Sequence, residues 1–383
     1  MATLTERSLT ALNVKVINRK LVMGALYSPT GLTKMQLVQN LKMSLSTVDQ
    51  NLKDLLSAGI IEELGFCHST GGRKAKLLHV KSRLKVAVGI FALKHEVRFI
   101  ALDLYGNPIG KACIALDFAC SSEYLTALNE HFVAFLHHHA IKREELLPLR
   151  FAVQGLVDTT GQKVTFGRIL HNESLTAAAL SEALDCEVML CHDAFAAAFW
   201  EVLSHPGLED AVLMLLNRNF GGALIIDGKV LTGLHGRSGV IEHYCVDPHG
   251  PRCYCGAQGC LECYCSAEAL TRLSGKAAAQ FFTALRDGDI QALELWEEYL
   301  QHLALAARNC LCLVDGKLIL SGYLSAFLIA DDIARLCQYI SQGSAIALKP
   351  CDVIISKAGD ETAALGAAHM ALQEFLHAKI LPH

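Results

Sequence analysis

No apolar run in the 383-residue sequence approaches the roughly 20 residues a bilayer-spanning helix needs. Residues 211–216 are representative: short, and soon ended by polar or charged positions. The N-terminus carries Glu6 and Arg7 among polar residues and lacks a cleavable apolar segment. The expectation is a cytoplasmic protein without membrane insertion. Charged residues are also scarce, at 19% against 52% hydrophobic, which excludes a disordered chain and leaves room for two or three domains with their own cores. A chain so long and so rich in core residues has no need of a disulfide scaffold, although it holds 15 cysteines. Nine of them are scattered through apolar stretches, where cysteines are usually small buried hydrophobes, whereas Cys245, Cys253, Cys255, Cys260, Cys263 and Cys265 fall within 21 residues.

The net charge of −4 hides an asymmetry. Residues 1–85 hold 13 Lys/Arg against 5 Asp/Glu, and the remainder holds 21 against 33. A basic head on an acidic body points to a polyanion-binding module joined to something else. Within the head, residues 18–27 read as a helix with Leu21, Val22, Ala25 and Leu26 on one face. Thr33 can cap a second helix bearing Met35, Leu37, Val38 and Leu41, and Ser46 a third bearing Val48, Leu52, Leu55 and Leu56. The short link between the last two has helix-turn-helix spacing. Strands are expected at 60–63 and 77–80, with a basic, glycine-containing tip at 69–76 between them that reads as a wing reaching phosphates or the minor groove. Ser44, Ser46, Thr47, Gln50 and Lys53 are candidates for the groove-facing side of the third helix, and Arg73 and Lys74 for the wing. Asp49 and Asp54 repel a DNA backbone and favour the competing reading, a protein-interaction module of similar shape.

The segment 243–262 contains Cys-x-Cys-Gly-x-x-Gly-Cys, with a histidine ten residues before the first of its cysteines. His243, Cys253, Cys255 and Cys260 would supply the four N/S ligands of a structural zinc site, and Gly256 and Gly259 let the loop turn tightly enough for the sulfurs to converge. Cys245, Cys263 and Cys265 fit that spacing less well.

Taken together, His-x9-Cys-x-Cys-Gly-x-x-Gly-Cys-x-Glu, from His243 to Glu262, resembles the signature of the ROK family (repressors, open reading frames and kinases). The basic head with its Gly-Arg-Lys-Ala wing resembles the NagC/Mlc/XylR-type repressor branch. Gly155-Leu156-Val157-Asp158 is similar to the family's Pro-Gly-x-Val-Asp turn, with Gln154 for proline, and Cys191-His192-Asp193-Ala194 to its Asn-Asp or His-Asp pair. The run from Gly359 to Ala368 is similar to the start of the family's C-terminal helix. The resemblance implies an α/β fold: a winged helix-turn-helix (1–82) followed by a two-lobed actin-like domain. Its first lobe would span 83–193, completed by a C-terminal helix at 368–383, and its second 194–367, with the zinc loop at 243–262.

Departures from the family pattern carry as much meaning. The kinase Asp-x-Gly-Gly-Thr loop is matched by Phe91-Ala92-Leu93-Lys94-His95, the Gly-Thr-Gly-x-Gly loop by Asn217-Arg218-Asn219-Phe220-Gly221, and the adenosine-side glycines by Ser321-Gly322-Tyr323. Backbone N–H groups can no longer crowd around a phosphate, so Asp193, the kinase base position, is expected to be vestigial. In the sugar site, Val240 stands in the family's glutamate slot, leaving Asp193, His192, Glu262 and Asn172 as candidate effector contacts. The expected protein is a homodimeric or homotetrameric transcription regulator, a repressor of carbohydrate genes. It would bind DNA and zinc and respond to a sugar, a sugar phosphate or a protein partner. A sugar kinase with an accessory head and an interaction scaffold are the alternatives.

Overall fold

In the computed structural model, residues 11–66 and 75–381 are described; Arg73 and Lys74, with the rest of the expected wing tip, lie outside them. Helix α1 (Ala11–Leu26) begins earlier than the apolar periodicity suggested. Helix α2 (Lys34–Leu41) starts at Thr33, whose hydroxyl accepts from Gln36 N while Gln36 Oε1 accepts from Thr33 N at 2.8 Å, a reciprocal cap. Helix α3 (Leu45–Ser57) is capped by Ser44, not Ser46: Thr47 N donates to Ser44 Oγ at 3.1 Å. Lys42, at φ 51°, makes the left-handed turn that lets the chain re-enter a helix so soon. Strands β1 (Ile61–Phe66) and β2 (Lys76–Val80) pair antiparallel, and Leu32 bridges to Leu78 at the inner edge.

The body is built on two five-stranded sheets. The first has the order β5-β4-β3-β6-β9: β3 (Ala87–Ala92), β4 (Glu96–Leu102), β5 (Pro108–Ala115), β6 (Leu149–Val153) and β9 (Val188–His192). A small ribbon, β7 (Leu156–Val157) with β8 (Val164–Phe166), sits between β6 and β9 in sequence. One face of the sheet is covered by α4 (Ser122–His138) and α5 (Ala177–Leu184), which share an apolar cluster with Val88, Ile90 and Phe151. The second sheet has the order β12-β11-β10-β13-β14: β10 (Ala211–Leu216), β11 (Phe220–Ile226), β12 (Lys229–Val230), β13 (Lys317–Ser321) and β14 (Val353–Ile355). Against it pack α7 (Glu262–Cys265), α8 (Ala267–Ser274), α9 (Ala278–Arg286), α10 (Ile290–Leu311) and α11 (Ala330–Ser341), around Trp296 and Phe281.

Two helices tie the halves together. Helix α6 (Asp193–Ser204) runs from β9 toward the second sheet, and α12 (Thr362–Phe375) returns from the second sheet to lie on β3, β4, β6 and α6. It begins at Thr362 rather than at the expected 368. The crossing of α6 and α12 is close because Gly366 presents no side chain: a Cβ there would sit 1.7 Å from Ala196 O. A π-helical turn, Leu376–Ile380, continues α12 and packs on α1. Head and body consequently share one apolar cluster, with Val22, Leu26 and Leu52 alongside Ala364, Leu372 and Ile380. Tyr27 stacks on Tyr105 at 4.9 Å; its hydroxyl donates to Leu104 O, and that of Tyr105 to Val80 O.

Candidate functional site

The exposed side of α3 presents Ser46, Gln50 and Lys53, whereas Thr47 is half-buried and the Ser44 hydroxyl is spent on its cap. The acidic residues on this helix are compensated. Asp49 sits between Lys34 (2.9 Å) and Lys53 (3.0 Å), and Asp54 accepts from Gln50 Nε2 at 2.8 Å with Lys15 at 3.4 Å. This lowers both carboxyls, Asp49 through Lys34 first and Asp54 through Gln50 first. The charge objection to a polyanion surface is therefore met locally.

Between the two sheets lies a narrow cleft. Asp193, the first residue of α6, lines it and is only 5% exposed; burial pushes its carboxyl up to about 7, against a bond from Ala194 N at 2.9 Å. Opposite stands Glu242, on the short 3-10 turn Ile241–His243, equally buried and, among the described residues, with no hydrogen-bond partner for Oε2. Burial pushes Glu242 well above the ordinary carboxylate range, and the charges of Asp193 and Glu262 add to the effect. Gln154 Nε2 donates to Asn219 Oδ1 at 3.3 Å, and Asn219 Nδ2 to Glu262 Oε1 at 2.8 Å, a polar chain that crosses from one sheet to the other. Phe166 and Tyr254 complete the walls, and the free space at the floor is about 20 Å³, room for one water.

The expected effector residues divide. Asp193 faces the cleft. Glu262 stands one layer behind it, held by Asn219 Nδ2 and by Phe220 N at 2.6 Å. Asn172 is fully buried behind Gln154, donating to its carbonyl at 3.4 Å, and does not line the cleft. His192 turns to a different cavity, its Nε2 3.3 Å from Asp193 Oδ1. Sequence reasoning missed Glu242: with Val240 in the expected slot, the acid two residues on, next to His243, was the available signal.

The loop after Glu242 gathers His243, Cys253, Cys255 and Cys260 so that their ligand atoms all lie within 4.8 Å of one another. Cys253 Sγ is 3.7 Å from His243 Nδ1, and Cys255 Sγ 3.7 Å from Cys260 Sγ. A tetrahedral ion with metal–sulfur bonds of about 2.3 Å requires edges of about 3.8 Å, so the donor set fits a divalent metal. Gly256 and Gly259, at φ 96° and 70°, make the turns that bring the thiols in. Burial and mutual proximity push Cys253 upward and Cys260 up to about 12, crowding that a bound cation would reverse. Cys245 is exposed and Cys265 points into the core toward Tyr299 O.

A further opening of about 310 Å³ lies where the stretches compared with kinase nucleotide loops converge. Phe91 is almost wholly buried in the core there, and Asn217 Oδ1 accepts from Tyr323 N at 2.8 Å. Arg98 bridges Glu96 (2.7 Å) and Asp360 (2.6 Å), with Arg218 3.7 Å from Glu96. The protein's own ion pairs line the opening.

The ROK family model matches residues 118–374. The chain belongs to the ROK family. The DNA-binding transcriptional dual regulator NagC of Escherichia coli K12 is 26% identical over 252 residues, 65% of this chain and 62% of NagC, so the chain spans less than two thirds of that relative. The N-acetylmannosamine kinase of an Escherichia coli O7:K1 strain is 32% identical over 211 residues, covering 51% of this chain and 69% of the kinase. Among solved structures, a ROK family transcriptional regulator, a homologue of the Escherichia coli Mlc protein, is similar over 95% of this chain and 98% of its own. Its TM-score is 0.70 at 19% identity, a likeness of fold that extends across head and body alike. Among the described residues, no helix is long and apolar enough to cross a membrane.

Proposed function

We propose that this chain is a sugar-responsive transcription regulator, a repressor acting as a cytoplasmic homodimer or homotetramer. The division is a DNA-reading head at 1–82, a first lobe at 83–193 completed by α12, and a second lobe at 194–367. The observation that carries the reading is the pairing of an exposed, charge-compensated α3 with a body whose nucleotide-side opening is lined by the ion-paired Arg98, Glu96, Asp360 and Arg218 in place of phosphate-binding glycines. Phosphoryl transfer rests on positioned phosphates and metal. With Phe91 and Asn217 engaged in packing and in a backbone bond, Asp193 has no phosphoryl donor to work with, and the body acts as a sensor. Relatives named as repressors of N-acetylglucosamine and xylose genes support the same direction.

In this reading Ser46, Gln50 and Lys53, together with Arg73 and Lys74 of the wing, meet DNA. Asp193, Glu242 and Asn219 meet the sugar, with Glu262 holding Asn219. His243, Cys253, Cys255 and Cys260 hold zinc, which cross-links the loop to the cleft wall beside Glu242. Because the floor of the cleft admits only about one water, a sugar requires the lobes to part, and that parting is the event the head can sense through α6 and α12. An effector shifts DNA affinity only by its differential affinity for the two arrangements.

The test is recovery of genomic DNA bound by the protein, with and without hexoses, amino sugars and their phosphates. A near-palindromic site released by one of them is expected. The kinase alternative has an N-acetylmannosamine kinase among the relatives in its favour. Hexose-dependent ATP turnover that disappears in Asp193→Asn would establish it and overturn the sensor reading.

A further inference from the structure

Behind the sugar cleft, on the far side of His192, the two lobes enclose a second cavity of about 220 Å³. Its walls come from both sheets: Met189 and Cys191 of β9 on one side, Ala223 of β11 and Val230 of β12 on the other, with Phe195 of α6 and Met370 of α12. These side walls are apolar, while Asp158, Thr159, Thr160, His192, Thr232 and Ser238 line the rest of the opening. The one Lys or Arg of the lining is Arg150, the second residue of β6, a strand buried along its whole length and flanked by β3 and β9.

A guanidinium in the middle of a sheet is costly unless its donors are met. Arg150 is 8% exposed, and among the described residues its only side-chain partner is Glu374 on α12, which receives Nη2 and is itself largely exposed. Nε is buried and has no partner. Asp158, at the rim, is used up by its own turn, accepting from Gln162 N, Lys163 N and the Thr160 hydroxyl.

We propose that this interlobe cavity is a ligand site for a small hydrophobic carboxylate, its carboxyl group accepting from Arg150 and its apolar body lying between Met189, Phe195, Val230 and Met370. A charge-assisted bond to a buried guanidinium is among the strong kinds of hydrogen bond, and a planar carboxylate suits the guanidinium edge. The apolar side walls suit the body of a short aliphatic or aromatic acid, and with Arg150 the one Lys or Arg of the lining, the second charge of a phosphate would go unmatched.

Position gives the site a consequence. His192 lines this cavity, and its Nε2 lies 3.3 Å from Asp193 Oδ1, which faces the sugar cleft. A ligand here fills space contributed by both lobes and fixes the ring that contacts Asp193. It therefore alters sugar affinity by the same factor as the sugar alters its own. The binding itself stands without the sugar reading; the coupling rests on it.

The experiment uses the full-length, metal-loaded protein and calorimetric titration with sodium benzoate and sodium hexanoate, each against its neutral amide. One carboxylate per chain is expected at a Kd of about 1 mM or tighter, with the amides at least about tenfold weaker. Arg150→Lys keeps a cation but loses the planar fork and should weaken benzoate about tenfold or more. Val230→Phe, at a half-buried edge position, fills the cavity and should abolish binding. Should Arg150→Lys fail to fold, Val230→Phe decides the matter alone. Amides that bind as well as acids, no binding by either acid, or undiminished benzoate binding in Val230→Phe would each overturn the site. Titrating sugars with and without saturating benzoate reads the coupling: an intact benzoate site without any effect on sugar affinity removes the coupling and leaves the site.

Discussion

Gly366→Ala sets two opposed effects against each other, and the structure decides between them. In an unconstrained helix interior, alanine is favoured over glycine by about 1 kcal/mol. Here the new methyl carbon would lie 1.7 Å from Ala196 O, where ordinary contact requires about 3.4 Å. The obstacle is a backbone carbonyl, so no side chain can swing aside, and α12 must withdraw from α6. That withdrawal loosens Ala363, Ala364 and Ala367, all buried at this crossing. Overpacking of a well-packed core costs about 1–3 kcal/mol, and a collision with rigid backbone belongs at the upper end. The net expectation is a loss of about 2 kcal/mol, read as a lower urea midpoint at unchanged slope. Ala196→Gly, which leaves the carbonyl in place, should not rescue it. A midpoint at or above wild type would refute the argument that the crossing distance is set by the absent side chain.

Three further outcomes are expected. Cys255→Ser, measured by elemental analysis and thermal melting, should lose a single zinc per chain together with stability of the second lobe, since structural zinc contributes on the order of 10 kcal/mol to its local unit; metal-free wild type would contradict this. Gln50→Ala should relax base preference at one step by about 1–3 kcal/mol, while Arg73→Ala or Lys74→Ala should weaken binding to all sequences alike, and salt-insensitive binding would remove the head from DNA. The Asp193 carboxyl, raised from 3.8 to about 7, stays protonated in the folded state while the unfolded chain has already ionised; its contribution is complete below about pH 4 and is lost as pH climbs through 7. Stability relative to Asp193→Asn should therefore decline across that window, and parallel curves for the two proteins would show that burial does not hold the proton there.

What could be read in advance is what depends on neighbours in sequence. The reciprocal cap of Thr33 with Gln36 spans three residues, and the thiol cluster forms within one loop whose spacing and glycines fix its geometry. Even locally, one hydroxyl can be mistaken for another: Ser44 and Ser46 have the same chemistry, and the left-handed Lys42 decides which one opens the helix. The cleft was harder. At the end of β9 adjacent residues diverge, so Asp193 turns to one cavity and His192 to the other, an outcome set by how the sheets meet. Glu242 is invisible as a cleft residue until the Ile241–His243 turn places it opposite Asp193. The bridge from Arg98 to Asp360 joins positions too far apart along the chain for any periodicity to link them.

The return of α12 has a consequence for how the protein is made. Synthesis delivers the head well before this helix, yet Val22, Leu26 and Leu52 of the head share an apolar cluster with Ala364, Leu372 and Ile380. Until α12 leaves the ribosome, one face of the first sheet and the underside of the head have no cover, and contacts of such long range are slow to form. A chain stopped short of Thr362 would leave the head without its support, exposed to proteases and unable to compete with finished copies. Arrival of α12 thereby becomes a checkpoint on the activity of a part made well before it.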